Sequence, residues 1–250
     1  MPLLRSALLD SGGFSHAFPT RDASDAALLE GLGPDVTRVL QVRQVHGAAV
    51  AQADPSWLHP GGATVSGLEA APDGASPAPL DLGRSPEADA IVARAMGPAP
   101  LAVGVRVADC VPVLVGDPAT GDVAAIHAGW RGVVAGVVGQ AIGTLVAVGN
   151  AQRRARLVAA IGPCIGPCCF EVGREVAASV GFAERDAGDK AFVNLRAAVR
   201  AQLVASGIES SRIEDVPGCT KHEPARFHSF RRDGANAGRM LAAIATIRMD

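Results

Sequence analysis

Between residues 101 and 127 three apolar runs follow one another with almost no chain to spare between them. Residues 101–107, 111–115 and 123–127 are Val-rich and too short for core helices, so each is predicted to be a buried strand. Gly116-Asp117-Pro118-Ala119-Thr120-Gly121 supplies turn chemistry for a hairpin with a longer loop between the second and third. Further on, helical patterns join in. Residues 133–148 are expected to form one buried helix, 156–161 a core strand, and 172–180 a helix. Leu195, Val199 and Leu203 recur at the spacing of one helix face. A last helix is predicted over 237–248. Strands and helices interleave, which gives an α/β or α+β class with a mixed sheet.

Residues 54–86 are rich in Pro, Gly, Ala and Ser without periodicity, and are expected to be a surface loop or insertion. The fold resumes near Glu87. With 250 residues, a single domain over 1–250 is the simplest organisation. A hydrophobic fraction of 48% with 19% charged residues is that of a globular chain. Lys and Arg total 23 against 25 Asp and Glu, so no global field attracts nucleic acid or an anionic membrane. No apolar run reaches the length of a membrane span, and Asp10 cuts the N-terminal apolar stretch short of a secretory signal. A cytoplasmic location is therefore expected, with no protein partner predicted.

Five cysteines, an odd number in a long chain, argue against a disulfide scaffold and for thiols with metal-binding or core roles. Cys110 follows Asp109 at the end of one predicted strand, and His127 ends another just before a glycine turn. If those strands are neighbours, both side chains meet at one end of a sheet, and His46 in Gln44-Val45-His46-Gly47 also lies at a strand-like end. Two imidazoles and one thiolate are a three-ligand set of the kind catalytic zinc uses, with a fourth position left for water. Such an ion lowers the pKa of its water from 15.7 toward roughly 7. Blue copper also uses two His and a Cys, with a weak axial ligand.

Gly129-Trp130-Arg131-Gly132 combines a tight turn with the start of a helix: either an anion pocket with Arg131 as the candidate clamp or a turn capped by a solvent-facing Arg131, with Trp130 either in the core or stacking on a base. Ser229, His228, Arg231 and Arg232 in a second short segment either offer phosphate or carboxylate donors or form a solvated charge run before the last helix. Cys164, Cys168 and Cys169, with Cys219 and His222 later, make a second zinc site conceivable. Their spacings are not those of a finger or ribbon, so buried or loop thiols are the expected reading.

Taken together, Gln44-Val45-His46-Gly47, Ala108-Asp109-Cys110-Val111-Pro112-Val113, Ala125-Ile126-His127-Ala128-Gly129-Trp130-Arg131-Gly132, Ile161-Gly162-Pro163-Cys164-Ile165-Gly166, Phe170-Glu171-Val172-Gly173 and Phe227-His228-Ser229-Phe230-Arg231-Arg232-Asp233-Gly234 resemble the purine nucleoside phosphorylase family long labelled multicopper polyphenol oxidase or laccase-domain proteins. The resemblance spans about residues 41–247. It implies a four-layer α/β/β/α sandwich with mixed sheets and one Zn²⁺ on His46, Cys110 and His127. It further implies phosphorolysis of adenosine, inosine, guanosine and S-methyl-5′-thioadenosine, with deamination of adenosine. In that setting Asp109, Cys110 and Arg131 are the expected catalytic residues, and Gln44, Trp130, Arg131, Ser229 and Arg231 the substrate contacts. Glu171 is an alternative proton carrier. The segment Asp22-Ala23-Ser24-Asp25 departs from the family's Gly-Gly-Val-Ser, and His222 stands where the family has a Cys.

Three rival readings follow from the same residues. Copper oxidase chemistry needs an imidazole-rich cluster beyond the first site, and the chain has only six His in all. Peptidoglycan editing, the hydrolysis of a wrong amino acid from a muropeptide precursor, is also implied by the resemblance. The third is a non-catalytic zinc-binding protein.

Overall fold

Ser6, Ser24, Asn150, Asn194 and Ser229 each stand just before a helix and accept a backbone N–H of its first turn. These caps mark where strand-like chain turns helical. In the computed structural model, which describes residues 2–53, 68–69, 85–96, 99–146 and 149–247, the chain opens with β1 (Leu3–Leu4), α1 (Ala7–Ser11), β2 (His16–Pro19) and α2 (Asp25–Leu32). β3 (Arg38–Leu40), β4 (Val50–Gln52), β5 (Leu68–Glu69), β6 (Ala90–Ala93) and β7 (Ala102–Val107) follow. Next come β8 (Val111–Gly116), β9 (Val123–Ala128), α3 (Trp130–Val134), α4 (Val137–Leu145), α5 (Ala151–Ala155) and β10 (Val158–Ile161). β11 (Glu171–Gly173), α6 (Arg174–Val180), β12 (Ala183–Ala187), β13 (Lys190–Val193) and α7 (Leu195–Ala205) lead to β14 (Ile213–Asp215), α8 (Phe230–Asp233) and β15 (Met240–Ala245).

The strands form two six-stranded mixed sheets, ordered β1-β2-β15-β7-β3-β5 and β14-β10-β8-β9-β6-β4, with β11-β13-β12 as a small third sheet. Alternation along the strands explains how they stack. In β8 and β9, Val111, Val113, Val115, Ala124 and Ile126 share a core with Val138, Ile142, Leu145, Val199 and Leu203 of α4 and α7. Leu114, Val123 and Ala125, on the opposite face, pack against Val103, Val105, Ala242 and Ile244 of the other sheet. On that sheet's far side Leu241, Ala243 and Ala245 meet Leu28, Leu29 and Leu32 of α2. Helices, sheet, sheet and helix make the four-layer α/β/β/α sandwich that the resemblance implied.

The hairpin expected at 116–121 is present: β8 and β9 pair antiparallel, and Gly121, at φ 73°, closes the turn by donating its N–H to Asp117 O. Three expectations are corrected. The helix predicted over 237–248 is instead strand β15, hydrogen-bonded on both edges, to β2 and to β7. Its Ala content favours a helix locally, but all six residues are buried and a central sheet position decides. The single helix predicted over 133–148 is two, because Gly136 at φ 79° turns the chain left-handed between α3 and α4. The helix predicted over 172–180 begins only at Arg174, with Glu171–Gly173 paired as a strand. The insertion expected at 54–86 lies largely outside the described residues, although β5 within it pairs with β3.

Candidate metal centre and active site

Two connections cross from one large sheet to the other at the same end of the sandwich. The link from β3 to β4 carries His46 and the tight turn from β7 to β8 carries Cys110, while His127 stands on β9 opposite Pro112 of β8. Both crossings need left-handed backbone at non-glycine residues, φ 60° at His46 and φ 96° at Asp109. Such conformations persist only where the surroundings enforce them. Asp89 accepts backbone N–H groups from Val45 at 3.3 Å, His46 at 2.9 Å and Gly47 at 2.6 Å. The Asp109 carboxylate accepts the Thr220 hydroxyl and the Arg231 backbone N–H, both at 2.6 Å, and the Asp109 carbonyl accepts from Ile165 N–H at 2.9 Å.

The outcome is a donor cluster: ligand atoms of His46, Cys110 and His127 all lie within 4.8 Å of one another and could hold one metal ion. The two imidazoles meet edge to face with centroids 4.9 Å apart. Gly129 lies against them, where a β-carbon would stand 3.2 Å from both Cys110 Sγ and His46 Cδ2. His127 Nδ1 is 2.8 Å from Asp89 Oδ1, so an Nδ1 proton held there leaves Nε2 free for an ion, the usual orientation of a metal-binding imidazole by a carboxylate.

The electrostatics agree with the geometry. Burial alone would push the Cys110 thiol up, but the facing His127 and His46 imidazoles outweigh it and bring it down to about 6. Burial would lower His127, yet its bond to Asp89 and the neighbouring Cys110 sulfur raise it to about 9. Burial raises Asp89, and the His127 and backbone donors more than reverse that, leaving its carboxyl below the ordinary range. Each group thus favours the charged form of the other.

Above the cluster opens a cavity of about 550 Å³, within the range of small-molecule sites. Gln44, Asp109, Trp130, Arg131 and Arg231 line it together with His46, Cys110 and His127. Arg131 is exposed and stacks on Trp130 at 4.4 Å; Arg231 reaches the Glu171 carbonyl at 2.6 Å. Gln44 exchanges two hydrogen bonds with the backbone of Arg106, at 2.9 and 2.8 Å. Ser229 is not brought to the cavity: it is fully buried, and its hydroxyl accepts the Arg232 N–H as the cap of α8. The anion pocket foreseen at the start of a long helix rests instead on α3, a helix of five residues. Glu171 does not line the cavity, and its carboxylate pairs with Lys190 at 3.0 Å.

Several cavity residues escaped the reading of the sequence. Arg43, Arg106 and Arg239 add to its cationic wall. Arg106 is held by Gln41, whose Oε1 accepts from Arg106 Nε at 2.9 Å, while Gln41 Nε2 is buried with no partner among the described residues. Asp89 also went unnoticed, although an acid opening a strand of four apolar residues is the signal that could have exposed it.

Residues 22–247 match a family model described as multi-copper polyphenol oxidoreductase laccase. The chain is 34% identical to adenosine deaminase RL5 of an unknown prokaryotic organism over 222 residues, 85% of this chain and 77% of that protein. It is 37% identical to a purine nucleoside phosphorylase of Streptomyces coelicolor, covering 81% of this chain and 73% of the other. The crystal structure of YlmD from Geobacillus stearothermophilus superposes with a TM-score of 0.77 at 23% identity, over 100% of this chain and 97% of that one.

Proposed function

The chain belongs to the multi-copper polyphenol oxidoreductase laccase family, and from that membership we propose that it is a zinc-dependent purine nucleoside phosphorylase with adenosine deaminase activity. One observation carries the reading: two imidazoles and a thiol converge at the floor of a cavity whose other walls are rich in arginine. The donor set suits zinc, because His46, Cys110 and His127 would hold it at the cavity floor with three protein ligands, as catalytic zinc is held, and Asp89 orients His127. Zinc bound there would act as a Lewis acid and activate water.

The chain's own groups do the rest. Arg131 and Arg231 bind phosphate and hold it against the sugar, with Arg106 behind them as a further cation. Trp130 supplies an aromatic face for the purine, and Gln44 contacts the substrate from the cavity wall. Asp109, whose carboxylate is held by Thr220 and Arg231, is the group placed to carry a proton to or from the substrate. Cys110 joins the metal to the same turn.

Copper oxidase chemistry finds less support. His16 is buried and spoken for, its Nε2 accepting the Ser6 N–H at 2.7 Å and its Nδ1 lying 3.0 Å from the Phe14 carbonyl. Among the described residues neither donor cluster holds three imidazoles. Incubation of the zinc-loaded protein with adenosine or inosine, with and without phosphate, tests the proposal. Phosphate-dependent release of free base, with inosine formed from adenosine, is the expected result. Untouched nucleosides alongside hydrolysis of a serine-bearing muramic acid precursor would replace it with peptidoglycan editing.

A further inference from the structure

A second group of metal-ligating atoms lies apart from the cavity floor. Cys168, Cys169 and His222 bring their donor atoms within 4.8 Å of one another. Cys168 Sγ is 3.5 Å from Cys169 Sγ and 3.6 Å from Cys219 Sγ, and all of these thiols are free. A disulfide would need about 2.05 Å between sulfurs. Tetrahedral zinc with Zn–S bonds near 2.3 Å would need about 3.8 Å, close to the spacing seen. The Gly166 N–H donates to Cys219 Sγ at 3.3 Å, a bond that favours a thiolate. A β-carbon on Gly166 would come within 3.3 Å of Cys168 Sγ and 3.5 Å of Cys219 Sγ, so glycine leaves room for the cluster.

We propose that Cys168, Cys169 and His222, whose donor atoms already lie within 4.8 Å of one another, take a zinc ion in a structural role, with Cys219, outside that group but 3.6 Å from Cys168 Sγ, moving in as the fourth ligand that closes the site. Three thiolates and one imidazole are the ligand set of a closed structural zinc site, with no open position for a reaction. Cys164 stays outside it, fully buried, with its carbonyl bonded to the Thr220 N–H at 3.1 Å.

The site ties together one loop that walls the cavity and a second that braces it from behind. One loop follows β10 and carries Ile165 and Phe170, both cavity-lining. The other follows β14 and carries Thr220, whose hydroxyl holds Asp109 and whose carbonyl accepts from Arg232 at 2.9 Å. The ion would thus fix the Asp109 turn from behind, while an ion held by His46, Cys110 and His127 would sit in front. The spacing of these residues in sequence matches no finger or ribbon, because the ligands come from two loops brought together by the parallel backbone bridge between Cys164 and Cys219.

Metal analysis of protein purified from zinc-supplemented cells tests the site independently of any nucleoside assay. The parent should carry about two zinc ions per chain, Cys110→Ser about one, and Cys168→Ser/Cys219→Ser about one. After cobalt substitution, Cys110→Ser should retain a strong thiolate-to-cobalt charge-transfer band, and His222→Cys should keep the ion and intensify that band. Iodoacetamide should label Cys168 of the parent slowly despite its exposure, and faster once the metal is stripped. A Cys168→Ser/Cys219→Ser protein with the parent's zinc content overturns the proposal. So does a parent whose Cys168 is labelled at the rate of a free thiol, or whose mass shows these thiols joined as a disulfide. If nucleosides are not turned over, the metal counts still decide this site on their own.

Discussion

Replacing Asp89 with Asn keeps the side chain's shape but removes the charge that holds the Nδ1 proton of His127. Metal affinity of Asp89→Asn should fall about 10- to 100-fold, measured by competition with a chromophoric chelator. The same titration run against pH has a defined slope. The raised His127 must lose its proton to bind an ion, so between pH about 6 and about 9 this group makes affinity climb roughly tenfold per pH unit. Below about 6 Cys110 is protonated as well and the climb steepens; above about 9 these two groups add nothing further. Arg131→Ala leaves a folded, metal-loaded protein because the side chain is exposed, and should lower turnover on the order of 100-fold. His46, Cys110 and His127 were legible because each closes a recognisable strand or glycine turn. Asp89 was not, since its donors lie on a loop more than forty positions away and no local spacing announces them. Ser229 misled for the opposite reason: a hydroxyl among arginines looks like a ligand contact, yet the same hydroxyl three residues before a free N–H is a helix cap.

At the scale of elements, the strands from β7 to β9 could be read within a residue or two because Val-rich runs between turn residues leave little choice. β15 could not, since six apolar residues with three alanines satisfy either period, and only pairing with β2 and β7 selects the strand. Those partners are remote in sequence. How tightly β15 and β7 pack is seen at Gly104, where a β-carbon would sit 2.9 Å from the Ala242 carbonyl, Leu241 Cδ1 and Val39 Cγ1. Gly104→Ala should therefore cost about 1–3 kcal/mol, read as a lower midpoint with unchanged slope in urea unfolding. The Val-rich region after Trp130 shows the converse, where a continuous helical pattern conceals a break that only Gly136 marks.

For the whole molecule, one network that bears on acid resistance lies at the end of the sandwich opposite Cys110, in the β8–β9 turn. Asp117, fully buried, is pushed up by burial but pulled further down by Arg156 and Arg153; Asp122 is bound by the Ala95 N–H, Arg94 and Arg153. Both carboxyls lie below their ordinary value of 3.8, so their stabilisation is complete above that pH and is lost as pH falls through the lower folded values. Thermal melts should show Tm dropping steeply below pH about 4, and Asp117→Asn, which uncouples Arg153 and Arg156, should cost about 3 kcal/mol at neutral pH while flattening that drop. At the other end the two sheets are joined by crossings that carry His46 and Cys110. Any slip of one sheet over the other must therefore change the gap between those donors and strain an ion held between them. An occupied centre acts as a rivet through both sheets, and amide hydrogens at residues 41–47 and 107–111 should be the first to exchange when a chelator draws it out.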